Sequence, residues 1–320
     1  SADYPIDDGA SPVKPLLWCG VGGSTINWNA HFPRLRPSDF HTRSLDQVGD
    51  DWPLGYDDLA PCYDLNDHMM GVSGLAGDPA NPERPAREYP PLPLGRAGRR
   101  AADAFNALSW HWWPADAAIL TRPREGRGAC TQCGPCQLGC IPCAKASTDV
   151  TYWPEAIRSG VELRTHATAT QIVVEAGRAT GVVYRDATGA EHLQPAAHVV
   201  VAANGIGTPR LLLASGLSRG PDDPLGRNLM FHPVAYVRGI FKDELDGPAG
   251  PVGCMLASHE FAETDRARGF VRGVQFQVGR ENGLLAQAAP PPKPKSWQPW
   301  PEPGGGRRRS PRSSAIRCPS

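Results

Sequence analysis

The clearest hydrophobic pattern in the chain lies at residues 199–213. Residues 199–201 are all valine, and small residues, a proline and three leucines follow them. A β-branched run of this kind is typical of a strand buried on both faces of a sheet. We expect Thr208 to cap the helix that follows and Pro209 to lie in its first turn. The pattern predicts a buried strand, a turn and a helix, the arrangement near which open α/β sheets bind nucleotides.

A small antiparallel unit is predicted just before this segment. Three short strands are predicted, at residues 162–165, 171–174 and 181–184. Turns are expected at residues 175–177 and at 186–189, where the sequence is Asp-Ala-Thr-Gly. We therefore predict a short meander that leads into the buried strand.

A second glycine-rich segment covers residues 20–30. Its sequence, Gly-Val-Gly-Gly-Ser-Thr-Ile-Asn-Trp-Asn-Ala, combines three glycines with hydroxyl and amide side chains. Backbone N–H groups in such a run can face a pyrophosphate or a polar ring edge. The same residues could simply form a turn that caps a helix, because short glycine motifs are permissive. Taken alone, the segment leaves both interpretations open.

Together and in this order, the two segments resemble the glucose–methanol–choline (GMC) family of FAD-dependent oxidoreductases. Residues 22–27 resemble the family's Gly-Gly-Ser/Thr stretch, and residues 202–216 resemble its Ala-Ala-Gly-x-Ile-x-Ser/Thr-Pro motif with the Ser-Gly pair that follows. Further similarity lies at residues 34–40, 52–63 and 226–233. The resemblance implies an α/β (α+β) fold, with a partial FAD-binding Rossmann-like domain and part of an antiparallel substrate-domain sheet.

The resemblance also implies a division of the chain into five segments. These are the flavin-contacting loop and helix of a truncated FAD domain at 1–40, a cap or lid region with a cysteine-rich loop at 41–150, the main FAD-binding part at 151–230, the start of the substrate domain at 231–287, and a disordered Pro- and Arg-rich tail at 288–320. The sequence of the tail is what a frameshifted end would give.

FAD is the cofactor that the resemblance implies, and we expect it to be bound without a covalent link. Asn27 stands where some family members carry a histidine bonded to the flavin, and an asparagine cannot form that bond. Ala169 stands where the family contacts the adenine through its backbone, and Asn204 replaces a glycine but tolerates a left-handed conformation. The complete set of implied cofactor contacts is Gly22, Gly23, Ser24, Thr25, Asn27, Trp28, Ala30 and Ala169.

The activity implied by the resemblance is oxidation of an alcohol or sugar by hydride transfer to flavin N5. Oxygen, a quinone or an electron-accepting subunit would then reoxidise the flavin. The sequence contains neither the family's Gly-x-Gly-x-x-Gly turn nor its catalytic histidine segment. We therefore assign no catalytic residue and expect this truncated chain to be inactive by itself.

Five of the nine cysteines lie close together, at positions 130, 133, 136, 140 and 143. The spacing of Cys130, Cys133, Cys136 and Cys140 is the one with which ferredoxin-like segments hold iron–sulfur clusters. A structural zinc, disulfides or thiols in a loop beside the flavin are the alternatives. A non-catalytic iron–sulfur or zinc module that keeps only the flavoprotein scaffold is accordingly the alternative function. The same segment resembles a cysteine-rich branch of the family that includes long-chain alcohol oxidases and flavoprotein dehydrogenase subunits.

Composition narrows the range of partners. The 33 basic and 33 acidic residues cancel, which argues against nucleic acid or an anionic membrane as a partner. No apolar stretch is long enough to span a bilayer, so we predict no transmembrane segment. A cytoplasmic location is favoured, and a periplasmic one stays open because the chain begins at Ser1. The aromatic run at residues 110–113 is expected in the core, with a lid over the flavin as the alternative.

Overall fold

The computed structural model describes residues 17–239, 241–246, 249–251 and 253–280, together with Asp7, Gly9 and Ser11. The predicted tail at 288–320 lies outside the described residues. The chain divides into two compact units, a smaller one that includes Glu162–Arg238 and a larger one that includes Gly20–Val161 and the described residues between 239 and 280.

The described residues form five helices and six short strands. The helices are α1 (Thr42–Asp46), α2 (Tyr56–Met70), α3 (Gly95–Ala107), α4 (Tyr152–Arg158) and α5 (Asn204–Ala214), and the strands are β1 (Trp113–Pro114), β2 (Thr168–Glu175), β3 (Arg178–Arg185), β4 (Glu191–Pro195), β5 (Cys254–Phe261) and β6 (Val274–Gly279). Short 3₁₀ turns lie at Gly23–Ile26, Pro37–Phe40 and Cys136–Leu138. Across the described residues, every helix falls short of the length and hydrophobicity that a membrane-spanning helix requires.

The larger unit contains one antiparallel sheet in the order β1-β5-β6. Its core is built from small and aliphatic side chains of several segments, namely Ala30, Met70, Val72, Tyr89, Leu92, Ala117, Ala118, Ile119, Leu120, Ala144 and Ala146. Backbone hydrogen bonds join these segments, because Ala118 N–H donates to Ala30 O and Ala146 N–H donates to Ala118 O, both at 2.8 Å. The glycine-rich segment and the end of the cysteine-rich loop are thus held on one shared core.

The smaller unit contains the predicted meander, as an antiparallel sheet in the order β2-β3-β4. The strands expected at 171–174 and 181–184 are confirmed within β2 and β3, and turns join the strands at both expected places. Ser215 Oγ, just after α5, accepts the Ile172 N–H at 2.8 Å. Both sheets are antiparallel and are combined with helices, which confirms the predicted mixed α/β fold class.

Residues 162–165 are not a strand, so this prediction was wrong. A suitable run of side chains is not sufficient to form a strand. A strand also needs a neighbouring strand for its backbone hydrogen bonds. In the described part of the chain, β2 pairs with β3 alone. The charged side chains of Glu162 and Arg164 instead form an exposed ion pair at 2.7 Å.

The buried strand expected at residues 199–201 is also absent from the described structure. Val200 is 89% exposed, and the three valines have no strand assignment. A strand covered on both faces needs sheet neighbours, and no described strand pairs with these residues. The three valines have the composition of a buried strand, but the strands that would cover them are not among the described elements.

Helix α5 begins five residues before Pro209, because Asn204 rather than Thr208 serves its first turn. Asn204 adopts the expected left-handed conformation, with φ 63°. Its Oδ1 accepts the N–H groups of Ile206 at 2.8 Å and Gly207 at 3.0 Å. Thr208 Oγ1 instead accepts the N–H of Ala203. Since an asparagine side chain can satisfy two N–H groups at a helix start, the helix includes the small-residue turn.

Candidate flavin-contact loop and cysteine segment

Residues 22–30, here called the contact loop, begin with two glycines in left-handed conformations. Gly22 has φ 96° and Gly23 has φ 55°. A Cβ on Gly22 would lie 2.9 Å from the Ile26 side chain and 3.0 Å from Asp149 Oδ1, so the chain is closely packed there. A Cβ on Gly23 would meet no atom within 4 Å. The loop therefore has one packed side and one open side, and it leaves room for a ligand at Gly23.

The carbonyl groups of the contact loop are turned toward the protein interior. Lys145 Nζ donates to Thr25 O at 3.3 Å, Ile26 O at 2.5 Å and Trp28 O at 3.4 Å. Gly22 O accepts hydrogen bonds from the hydroxyls of Thr25 and Thr148. Because a trans peptide places its C=O and N–H on opposite sides, the N–H sides of the units held by Lys145 face away from it.

Lys145 is only 3% exposed. This is unusual, because a lysine side chain with its ordinary pKa carries a positive charge near pH 7. Burial lowers the pKa of Lys145, while the nearby Cys136, Cys140 and Asp149 act in the opposite direction. A buried ammonium has three N–H donors, and here three backbone carbonyls surround it. The positive charge is thus placed directly behind the contact loop.

The predicted contact residues differ in what they present. Ser24 and Asn27 are exposed, and their polar side chains are accessible to a ligand. Trp28 is turned inward, since its Nε1–H donates to Ala146 O at 2.8 Å and its ring meets Phe32 edge-on at 5.7 Å. Ala30 is 1% exposed, with φ 59°. Trp28 and Ala30 therefore shape the loop, and any contact that they make with a ligand is limited to the backbone.

Ala169 lies in the smaller unit, near the start of β2. It pairs with Tyr184, and the register then shifts so that Gln171 pairs with Val183. The bulged residue, Thr170, uses its hydroxyl to donate to Val183 O at 3.2 Å. Bulges often redirect backbone groups near binding sites. The structure thus places an irregular backbone beside Ala169, and its contact with adenine stays a prediction.

The four predicted metal-ligating cysteines line one cavity of about 300 Å³, together with Gln132, Lys145 and Pro251 among others. Burial raises the pKa of the Cys130 thiol, and Lys145 N–H donates to Cys140 Sγ at 3.3 Å. Cys143 does not line the cavity. In the part of the chain that the structure describes, no cysteine forms a disulfide and no three sulfurs lie within 4.8 Å of one another. The thiols thus share a cavity without being gathered around one ion.

A second polar cavity, of about 490 Å³ and open to solvent, was not expected from the sequence. Its lining includes His31, Asp78, Trp113, His259 and Gln275. Burial lowers the pKa of His31 from 6.5 to about 4, so this imidazole is neutral near pH 7. Sequence spacing gave no signal for this cavity, because its residues come from segments far apart in the chain.

Donor atoms of Asp78, His111 and His259 lie within 4.8 Å of one another, close enough for a metal ion. Hydrogen bonds already occupy them, however. The His259 backbone N–H donates to His111 Nδ1 at 3.1 Å, so the proton of a neutral His111 lies on Nε2, 2.8 Å from Asp78 Oδ1. Ala80 N–H and the Asn81 amide also donate to Asp78. The arrangement is a hydrogen-bonded cluster that fixes His259 on β5.

The aromatic run at 110–113 lies in this same region, and its side chains are half-buried and outside the buried core clusters. Trp110 packs edge-on against Phe261, with the ring centroids 4.8 Å apart, and stacks on Phe276 at 6.0 Å. Trp113 Nε1–H donates to Leu75 O at 2.9 Å. These contacts attach the run to the sheet of the larger unit.

Comparison with known proteins first gives the class of protein, which is the flavoprotein-type oxidoreductases. Residues 117–234 match the family model described as GMC oxidoreductase. The chain belongs to the GMC oxidoreductase family, which confirms the resemblance found in the sequence. FAD is the cofactor that this family typically binds.

Three relatives illustrate the range of the family. The chain is 43% identical to 2-methyl-1,2-propanediol dehydrogenase of Mycolicibacterium austroafricanum, over 89% of this chain and 53% of that protein. It is 32% identical to the fructose dehydrogenase large subunit of Gluconobacter japonicus, over 67% and 41% of the two chains. Identity to the gluconate 2-dehydrogenase flavoprotein of Pantoea cypripedii is 26%, over 86% and 52%. The chain spans about half the length of the curated relatives it matches.

Proposed function

We propose that this chain is the flavin-contacting part of an FAD-dependent oxidoreductase that oxidises a CH–OH group of an alcohol or sugar. The observation that carries the proposal is the contact loop, whose carbonyls are held inward by Lys145 and whose open side lies at Gly23. A loop of this form can approach a dinucleotide closely without exposing buried acceptors to the cofactor's phosphates.

FAD, when bound, supplies the N5 atom that accepts a hydride from the substrate carbon. The chain's own residues position the cofactor. Gly23 leaves space for close approach, and the exposed Ser24 and Asn27 can form hydrogen bonds with phosphate oxygens or with the edge of a ring. The Asn27 amide is not a nucleophile, so the cofactor is held without a covalent bond. The Ala169 backbone completes the proposed set from the smaller unit.

Names of the relatives support the substrate class. A propanediol dehydrogenase, a fructose dehydrogenase large subunit and a gluconate 2-dehydrogenase flavoprotein all act, by name, on hydroxylated compounds. We extend this to a small alcohol or sugar as the substrate of this protein. One relative is named as the large subunit of an assembly, which supports an electron-accepting subunit, with a quinone as the other candidate acceptor.

Titration of the purified protein with FAD, followed by flavin fluorescence, tests the proposal. Gly22→Ala should weaken binding at least tenfold, because the new Cβ meets Ile26 and Asp149 at a left-handed position. Gly77→Ala is the matched control, since Gly77 also has positive φ, 84°, but has open space around it. Acid precipitation should release all flavin into the supernatant. Absence of FAD binding would contradict the cofactor assignment, and flavin retained in the precipitate would contradict the non-covalent link.

A second candidate function rests on the cavity lined by Cys130, Cys133, Cys136 and Cys140. We propose that these thiols hold an iron–sulfur cluster that accepts electrons from the flavin. A scaffold that binds metal but no flavin is the non-catalytic alternative. Burial disfavours the negatively charged thiolate form of Cys130. A cation that replaces the thiol proton would balance that negative charge.

Protein expressed with added iron should then contain acid-labile sulfide and show a visible absorption shoulder. Cys136→Ser should remove both signals, whereas Cys62→Ser, at an exposed position on α2, should remove neither. A protein that contains zinc but no labile sulfide would show that the cysteines hold a structural metal and not an iron–sulfur cluster. A colourless, metal-free protein would overturn the metal site altogether.

A further inference from the structure

We propose that Lys145 is a positioning residue, which holds the contact loop in its binding shape and links that loop to the cysteine cavity. The inference deepens the proposed function and rests on it for the identity of the ligand. It does not place Lys145 in contact with a cofactor. Its role is exerted through the backbone of residues 25–28.

The contacts of Lys145 with the contact loop join residues that are far apart in the sequence. Its ammonium donates to Thr25 O, Ile26 O and Trp28 O, which lie 117–120 positions earlier in the chain. These carbonyls need a donor, because leaving a buried backbone acceptor without a partner is unfavourable. Without the ammonium, the peptide units would have to rotate toward water, which would disturb the turn that the Asn27 N–H closes by donating to Ser24 O.

The neighbouring threonines brace the same loop but cannot replace the lysine. Thr148 N–H donates to Thr25 Oγ1 at 3.1 Å, and the Thr148 hydroxyl donates to Gly22 O at 3.1 Å. These bonds fix the start of the loop, at Gly22 and Thr25. Among the described residues, Lys145 alone donates to the carbonyls of Ile26 and Trp28, on the far side of the turn.

Lys145 also belongs to the cysteine cavity. Its backbone N–H donates to Cys140 Sγ at 3.3 Å, and its side chain helps to line the cavity. The hydrogen bond to Cys140 Sγ therefore joins the residue that orders the contact loop to the cysteine cavity.

Hydrogen–deuterium exchange of the protein without added flavin tests the positioning role directly. Lys145→Met removes the charge and all three donors, and it should speed amide exchange in the peptide covering residues 22–30 about tenfold. Lys145→Arg, which keeps the charge and several donors, should restore part of the protection. Lys242→Met, at an exposed position in the same unit, is the control and should leave this peptide unchanged.

An FAD titration of the same variants separates this inference from the proposed function. Lys145→Met should raise the Kd for FAD at least tenfold, and Lys145→Arg should raise it less. Faster exchange in a protein that binds no FAD even as wild type would support the positioning role and contradict the cofactor assignment. Unchanged exchange and unchanged Kd in Lys145→Met would overturn the inference.

Two further variants keep the inference testable if Lys145→Met fails to fold. Lys145→Gln keeps an amide donor without the charge, and its exchange rate should lie between those of wild type and a loop without support. Cys140→Ala removes the acceptor of the Lys145 N–H and should speed exchange in the contact loop about twofold, whereas Cys62→Ala should not. No effect of Cys140→Ala would overturn the link to the cysteine cavity.

Discussion

Several buried cations in the larger unit are stabilised by backbone carbonyls, and Lys145 and Arg127 are two of them. Arg127 donates to Cys143 O at 3.0 Å, Ala144 O at 3.1 Å and Met70 O at 3.2 Å. Burial lowers the pKa of Arg127. Both residues hold irregular backbone in place, which is the structural use of a long side chain with several donors.

Replacing Arg127 should therefore cost stability. Arg127→Met leaves three carbonyls without their donor, and we expect the free energy of unfolding to fall by about 2–4 kcal/mol. Urea denaturation measures this change. Arg122→Met, at an exposed position in the same segment, is the control and should change stability by less than about 0.5 kcal/mol. A similar effect of both variants would show that the buried hydrogen bonds contribute little.

His31 should make stability depend on pH. Its pKa is lowered by burial from 6.5 to about 4, so between these values the unfolded chain binds a proton that the folded chain does not. Stability should then be complete above about pH 6.5 and should fall by about 2 kcal/mol from pH 7 to pH 5. Denaturation of wild type and His31→Gln at both pH values measures the effect.

The His31→Gln variant should lose most of this pH dependence, whatever its stability at pH 7. His198→Gln, at an exposed position, is the matched control and should keep it. An equal fall in stability for wild type and His31→Gln would assign the pH dependence to other groups.

At the residue scale, the contact loop could be predicted from the sequence, because its glycines, hydroxyls and amide lie in one short run. The sequence could not show which of these groups face a ligand. Trp28 is turned inward by a hydrogen bond to Ala146, 118 positions away, and Lys145 gave no signal as a partner of the loop. Contacts across such separations are set by tertiary packing, which local patterns do not encode.

Elements defined by local chemistry were predicted well. The β2–β3 hairpin follows from the β-branched residues on both strands and from a tight turn, in which Ala176 and Gly177 have φ 48° and 77°. The strand at 199–201 was not predicted correctly, because a valine run needs neighbouring strands before it becomes one. Helix α5 began early because the side chain of Asn204 provides hydrogen bonds at its start.

The β2–β3 turn can be improved at one position. Ala176 lies in the left-handed region, which asparagine tolerates better than alanine, and Asn-Gly is a preferred pair in such hairpin turns. Ala176→Asn should therefore stabilise the smaller unit by about 0.5–1 kcal/mol, measured by thermal or urea denaturation. Ala187→Asn, in the next turn but without positive φ, should have little effect. A destabilised Ala176→Asn variant would contradict the turn assignment.

On the scale of the whole molecule, the predicted cofactor contacts are divided between the two compact units. The contact loop belongs to the larger unit, and Ala169 belongs to the smaller one. The sequence indicated both through family resemblance, in which the order of motifs carries more information than any single motif. We therefore expect FAD to bind the contact loop, and the contact at Ala169 stays a separate expectation that rests on the family resemblance.

Hydrogen–deuterium exchange with and without saturating FAD tests the role of the contact loop. We expect FAD to slow amide exchange at least several-fold in the peptide covering residues 22–30, while exposed strand β4 is unaffected. The peptide covering residues 168–171 tests the expected contact at Ala169 by itself. Unchanged exchange in residues 22–30 at saturating FAD would contradict the cofactor assignment.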